Sequence, residues 1–220
     1  MRRIAHLNSG KPYAAVTLNA RLTSPLGALK NWEPEIHKHY AETQTKLLGW
    51  KPRLRRFLNF PKSVWSCLTI NFGPQTQTYA HRDFGNLSHG FCAITALGRF
   101  DPNRGGHIIL RELKLVIRFP PGASIIIPSA LLTHHNTRIS EGETRYSVTQ
   151  YTSGAIFRFV EHGFKLDSEY YAGLDRPGLQ AARSANQSRW KKGVAMLSRL
   201  PKLMRDAAAV KGGAASDADG

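Results

Sequence analysis

The hexapeptide HRDFGN at residues 81–86 places an imidazole and a carboxylate two positions apart, as His81 and Asp83. In an extended segment side chains alternate, so these two project to one side and Arg82 to the other. Such a pair on one strand edge can chelate a single metal ion. A third donor from a distant strand would complete a two-histidine, one-carboxylate face that leaves further coordination positions open. Two residues are candidates for it, His134 and His135 in LLTHHN, which follow an apolar run, IIIPSALL. The hexapeptide also overlaps two protein-kinase strings, HRD and DFG, on one aspartate. Kinase chemistry needs those strings apart, an asparagine at a longer spacing after HRD, a glycine-rich phosphate loop and a strand lysine. The chain has none of that arrangement, and a kinase is excluded.

The elements that must position these residues are short strands. SCLTINF, QTYAHRD, GFCAITALGRF, HIILREL, LKLVIRF, SIIIPSALL and TRYSVTQY are rich in β-branched and aromatic residues. Turn signals separate them, among them Gly73-Pro74, Asp101-Pro102, Gly105-Gly106, Pro120-Pro121-Gly122 and Glu141-Gly142. Seven or eight such strands between residues 66 and about 160 predict an all-β sandwich or barrel. Upstream, residues 34–48 predict a helix, with Pro34 in its first turn, Ile36, Tyr40 and Leu47 on one face, and Gly49 as its stop. Downstream, residues 184–205 predict a basic helix with Trp190, Val194 and Leu197 on one side. The tail from Ala207 has the composition of a disordered segment. No internal repeat is present.

Composition narrows the class. The 220 residues are 41% hydrophobic and 21% charged, a globular balance. No apolar run approaches the roughly 20 residues of a membrane helix, and the basic start MRRIAHLNSG lacks the apolar stretch of a signal peptide. Cys67 and Cys92 are the only cysteines, which excludes a disulfide framework and a thiolate zinc cluster. They fit a reducing, intracellular setting. The net charge of +16 is unevenly spread, with twelve basic and three acidic residues in 1–65. KPRLRRF at 51–57 is the densest run, and a field of that sign attracts phosphate backbones. Together with RWKK at 189–192 it leaves nuclear localisation open.

The order H-x-D, about fifty residues, a histidine, ten residues, then R-x-S resembles the signature of Fe(II)/2-oxoglutarate-dependent dioxygenases. The elements are His81, Asp83, His134, Arg145 and Ser147. GGHIIL and PPGASIIIPS are similar to segments of that family's double-stranded β-helix, and the likeness covers roughly 66–160. The resemblance implies a mainly β fold with flanking helices around a jelly-roll, cupin-like core. It implies His81, Asp83 and His134 as iron ligands, with Fe(II), 2-oxoglutarate and dioxygen as cofactors. Arg145 would grip the far carboxylate of 2-oxoglutarate in a bidentate contact, and Ser147 would add a hydrogen bond. A structural ion pair with Glu143 is the other role open to Arg145. His89, His107 and His162 read as structural or surface histidines.

The stretch AHRDFGNLSHGFCAITAL is similar to the Tet/JBP-like branch, whose members oxidise modified nucleobases, and in particular to short Tet-like domains found in fungi. Asn86 falls where that branch has an asparagine that helps hold a flipped base; it could instead only shape the turn with Gly85. The cysteine-rich region of animal members has no counterpart here. Tyr151 and Ser153 stand where a base-contacting histidine is expected after R-x-S. The implied organisation is a basic N-terminal extension (1–65), an oxygenase core (66–165), a basic C-terminal helical extension (166–206) and a tail (207–220). The implied function is oxidation of a modified nucleobase in DNA or RNA, with nucleic acid bound through the basic N-terminal region and no membrane. A protein or small-molecule hydroxylase on the same scaffold is an alternative, as is a non-catalytic nucleic-acid-binding protein on a decayed barrel.

Overall fold

The computed structural model describes residues 14–17, 25–58, 60–201 and 203–204. The expected tail at 207–220 and much of the start of the 1–65 extension lie outside the described residues. In chain order the elements begin with β1 (Ala14–Thr17), α1 (Pro25–Trp32), α2 (Pro34–Trp50) and a 3-10 turn (Pro52–Phe57). Strands β2 (Cys67–Asn71), β3 (Cys92–Arg99), β4 (Ile108–Leu110), β5 (Leu115–Arg118), β6 (Ser124–Ile127), β7 (His134–Asn136) and β8 (Thr144–Tyr151) follow. The chain continues through α3 (Gly154–Glu161), α4 (Asp167–Ala172) and α5 (Arg176–Met196).

The strands form two four-stranded sheets, ordered β1-β5-β4-β7 and β2-β8-β3-β6. Among the described strand pairs, β1–β5 alone is parallel. Alternation along β3 shows how the layers stack. Cys92, Ile94 and Ala96 enter one buried cluster with Ile108 and Leu110 of β4 and Ile117 of β5, so the two sheets face each other. Ala93 points the other way, into a second cluster with Leu29, Ile36, Tyr40, Trp65 and Phe157. The second sheet therefore lies between the first sheet and the helices.

Helix α2 forms where its apolar spacing requires. Pro34 opens it, and Ile36, Tyr40, Thr43 and Leu48 make its buried face. Each large apolar side chain buried there contributes about 1.5–3 kcal/mol. The Tyr40 hydroxyl also binds the Phe91 backbone, donating to its carbonyl (3.3 Å) and accepting from its N–H (3.2 Å). A side chain at Gly90 would overlap that hydroxyl, which explains the glycine.

Three sequence-based expectations differ from the structure. No strand forms over 77–83. His81 makes one isolated bridge to His134, and the donors of Thr76, Thr78 and Asp83 go to Arg145 O, Asn136 Oδ1 and Ser129 O. The segment thus bonds several different elements in place of one ladder. Residues 154–161, read as the end of the β region, form α3, which Ser153 caps by accepting from Ala155 N. The C-terminal helix starts eight residues earlier than expected because Asp175 caps it, with Pro177 in its first turn. Its Trp190 and Val194 face outward, and it is seated through the small residues Ala182 and Gly193. More of the described residues lie in helices than in strands, so the β character belongs to the middle of the chain. No described helix is long and apolar enough to cross a membrane.

Candidate metal centre

The isolated bridge between His81 and His134 sets the site. Its two backbone hydrogen bonds (3.1 and 2.9 Å) bring a loop residue and a strand residue side by side, with ring centroids 4.4 Å apart. The next residues diverge. Arg82 turns away to donate to Glu112 and Thr133, while Asp83 returns to the histidines. Asp83 Oδ1 is 3.6 Å from His81 Nε2, and Oδ2 is 3.9 Å from His134 Nε2. The three donor atoms lie within 4.8 Å of one another, close enough to hold one metal ion.

Both rings are oriented for that role. His81 Nδ1 meets the Tyr79 carbonyl at 2.7 Å, and His134 Nδ1 meets the Leu132 carbonyl at 2.9 Å. A proton held on each Nδ1 leaves the Nε2 lone pair toward Asp83, the usual arrangement of a metal-binding histidine. Burial lowers the pKa of His134, which favours the neutral ring a metal needs. Asp83 is braced in turn: its N–H donates to Ser129 O, and the Asn86 amide donates to Asp83 Oδ2 (3.4 Å) and to Ser129 Oγ (3.1 Å). The His81 and Asp83 side chains are 40% and 29% exposed against 5% for His134, so the cluster opens to solvent on the His81 side.

The cluster borders a cavity of about 320 Å³ also lined by Asn71, Thr78, Asn136, Arg145 and Ser147. Arg145 comes from β8, where it pairs with Gly98 of β3. Gly98 has φ +115°, and a Cβ there would collide with the Thr144 carbonyl, so only glycine lets β3 approach so closely. Arg145 is 1% exposed. Its guanidinium donates once, to Thr76 O at 3.3 Å, and its buried Nε has no partner. Glu143, the alternative ion-pair partner, instead accepts from the N–H groups of Asp101 and Ser140 at 2.7 Å each. Among the described residues no carboxylate pairs with Arg145. Burial pulls the Arg145 pKa down to about 10, which leaves it cationic at neutral pH. Such an unpaired buried cation is costly, and the arrangement favours an anion brought from outside. Ser147, on the same face two residues along, accepts from Asn71 Nδ2 (2.9 Å) and keeps its own proton to donate.

All six residues singled out in the sequence line this cavity: His81, Asp83, Asn86, His134, Arg145 and Ser147. His135 also lines it but is not in the three-donor group, because β7 alternates and sends its neighbours His134 and Asn136 to the other side. The Asn86 amide hydrogens are engaged by Asp83 and Ser129, while its Oδ1 has no partner among the described residues. Sequence reasoning missed Asn136, although a position two residues past His134 must share its face. Asn136 fastens the loop over the cavity, accepting from Thr78 N and Oγ1 and donating to Thr76 O. It also missed Ser129, which carries no motif.

No protein-family model and no curated protein matches the chain. Among solved structures, the chain is similar to NgTET1 in complex with 5mC DNA, with a TM-score of 0.37 and 16% identity. The match covers 63% of this chain and 55% of that one, so the chain spans about half the length of the protein it is compared with.

Proposed function

We propose that this chain is an Fe(II)/2-oxoglutarate-dependent dioxygenase of the Tet/JBP-like type, with a double-stranded β-helix core, that oxidises a modified nucleobase in DNA or RNA. The observation that carries the reading is one cavity bordered by two kinds of group. One is the three-donor set of His81, Asp83 and His134, and the other is a buried guanidinium with no carboxylate partner among the described residues. The donor set fits iron: two imidazoles with Nε2 free and one carboxylate suit Fe(II) and leave positions for a chelating co-substrate.

When bound, the iron would supply the oxidation of an unactivated C–H bond by dioxygen, one oxygen atom going to the substrate and the other to 2-oxoglutarate, which leaves as succinate and carbon dioxide. The chain's part is binding and placement. Arg145 takes the far carboxylate of 2-oxoglutarate through its planar fork, and Ser147 donates a hydroxyl proton beside it. Asn86 Oδ1 is positioned to accept a hydrogen bond from an exocyclic amine of a base. The exposed Arg53, Arg55 and Arg56 of the N-terminal region supply positive charge for a phosphate backbone.

The test is an anaerobic visible-absorption titration with Fe(II) and then 2-oxoglutarate. A weak metal-to-ligand charge-transfer band is expected in the wild type after both additions and absent in His134→Ala. No band in folded wild-type protein that was metal-free at the start would remove the reading.

A further inference from the structure

We propose that the outward face of helix α5, more than a hundred residues from the basic 3-10 turn Pro52–Phe57 in sequence, is a second docking surface for a nucleic-acid phosphate backbone, outside the cavity. The inference rests on the nucleic-acid half of the proposed function and adds a partner surface that the cavity does not contain.

Both segments border α3. Trp50, at the end of α2, stacks on Phe164 (5.1 Å, 4° between planes) and meets Phe159 of α3 edge-on at 5.3 Å. Lys51 follows directly, its Nζ over the Trp50 ring, and the exposed Arg53, Arg55 and Arg56 come next. Two residues past Phe159, Glu161 pairs with Arg189 of α5 at 3.1 Å. The last turn of α3 is therefore held by the base of one basic segment on one side and by the middle of the other.

Helix α5 contains no acidic residue, and its Arg176, Arg183, Lys191 and Lys192 are exposed with no carboxylate partner among the described residues. The acids that surround it are already engaged. Glu161 binds Arg189, and Asp167 binds Arg158 and His162. Glu169 accepts from Leu166 N, and Asp175 accepts from Gly178 N. From Arg183 to Lys191 the helix rises about 12 Å, and Arg176, Arg183, Trp190 and Lys191 fall within about 100° of its circumference. The exposed Trp190 shares a groove with Lys191, Val194 and Arg199, which adds a surface for a sugar or base beside the cations. The helix backbone is seated by Ala182 and by Gly193, where a Cβ would overlap the His89 ring, and the cations project away from that side. A row of uncompensated cations complements the negative charge of a phosphate backbone.

The test measures binding of a short fluorescent DNA duplex by the full chain across a salt series. Two triple variants are compared with wild type: Arg176→Ala/Arg183→Ala/Lys191→Ala and Arg53→Ala/Arg55→Ala/Arg56→Ala. None of these side chains has an ion-pair partner among the described residues, and unchanged thermal unfolding checks that both variants fold. Each variant is expected to bind more weakly at low salt, with the slope of log K against log salt reduced by about 0.9 for each phosphate no longer neutralised. An α5 variant with wild-type affinity and slope would overturn the proposal, as would preferential binding of phosphatidylserine vesicles over the duplex. Failure here is separable from failure of the dioxygenase reading, because iron and 2-oxoglutarate binding is measured without nucleic acid and none of the substituted residues lines the cavity.

Discussion

The Asn86 side-chain amide bridges Asp83 and Ser129, donating to Asp83 Oδ2 at 3.4 Å and to Ser129 Oγ at 3.1 Å. Ser129 is 1% exposed and also takes the Asp83 N–H on its carbonyl. The carboxylate between the two histidines is thus held by a residue from another part of the chain. Partners of this kind commonly contribute 10–100-fold to metal affinity. Asn86→Ala and Ser129→Ala are each expected to weaken Co(II) binding by about tenfold in an absorption titration, with the fold retained. Wild-type affinity in both would leave Asn86 with the base-reading role alone.

The two adjacent histidines are expected to separate cleanly. His134→Ala removes one of three donors and should abolish metal binding. His135→Ala should weaken it modestly at most, since His135 stands outside the donor group. The reverse outcome in the same titration would place the third donor one residue further along β7.

Arg145 couples stability and function in opposite directions. Its guanidinium is buried and short of partners, so a flexible apolar replacement relieves a desolvation cost. Arg145→Met is expected to keep the fold's stability or raise it by on the order of 1 kcal/mol. The variant should lose the thermal stabilisation that 2-oxoglutarate gives the metal-loaded wild type, an effect of about 2.7 kcal/mol at a hundredfold excess over Kd. Arg145→Lys, which keeps the charge without the planar fork, should bind metal normally and need far more 2-oxoglutarate. An unchanged co-substrate requirement would remove Arg145 from that role.

The grouping of His81 with Asp83, and the outward turn of Arg82, were legible from two-residue spacing although the segment forms no strand, and alternation along β7 could equally have shown Asn136 beside His134. Helix α2 was legible for the same reason, through the spacing of Ile36 and Tyr40. The segment 77–83 was misread because QTYA has strand composition, whereas its backbone bonds go to scattered partners that only the tertiary structure supplies. GAIFRFV in α3 is a short apolar run that suits helix or strand equally, and the Ser153 cap decides it. No local pattern reveals that Arg145 lacks a carboxylate partner among the described residues or that Lys51 and Arg189 flank one turn of α3. Both depend on what the rest of the chain leaves nearby.

A last expectation concerns acid stability and a histidine away from the cavity. His89 is 4% exposed, and neither ring nitrogen has a hydrogen-bond partner among the described residues. It lies between His39 of α2, stacked at 5.9 Å, and Gly193 of α5. Burial, and secondarily the nearby His39 and Arg189, push its pKa down to about 4, with Glu161 opposing in part. The unfolded chain therefore takes up this proton first, near the free value of about 6.5. Stability from the neutral ring is complete above that pH and is lost as the pH falls from about 6.5 through 4. A shift of this size corresponds to at most about 3 kcal/mol. The urea midpoint should drop between about pH 7 and pH 5 in the wild type. In His89→Phe, which keeps a planar ring and cannot be protonated, that drop should largely vanish. An equal drop in both proteins would mean that His89 does not hold the C-terminal helix through its uncharged state.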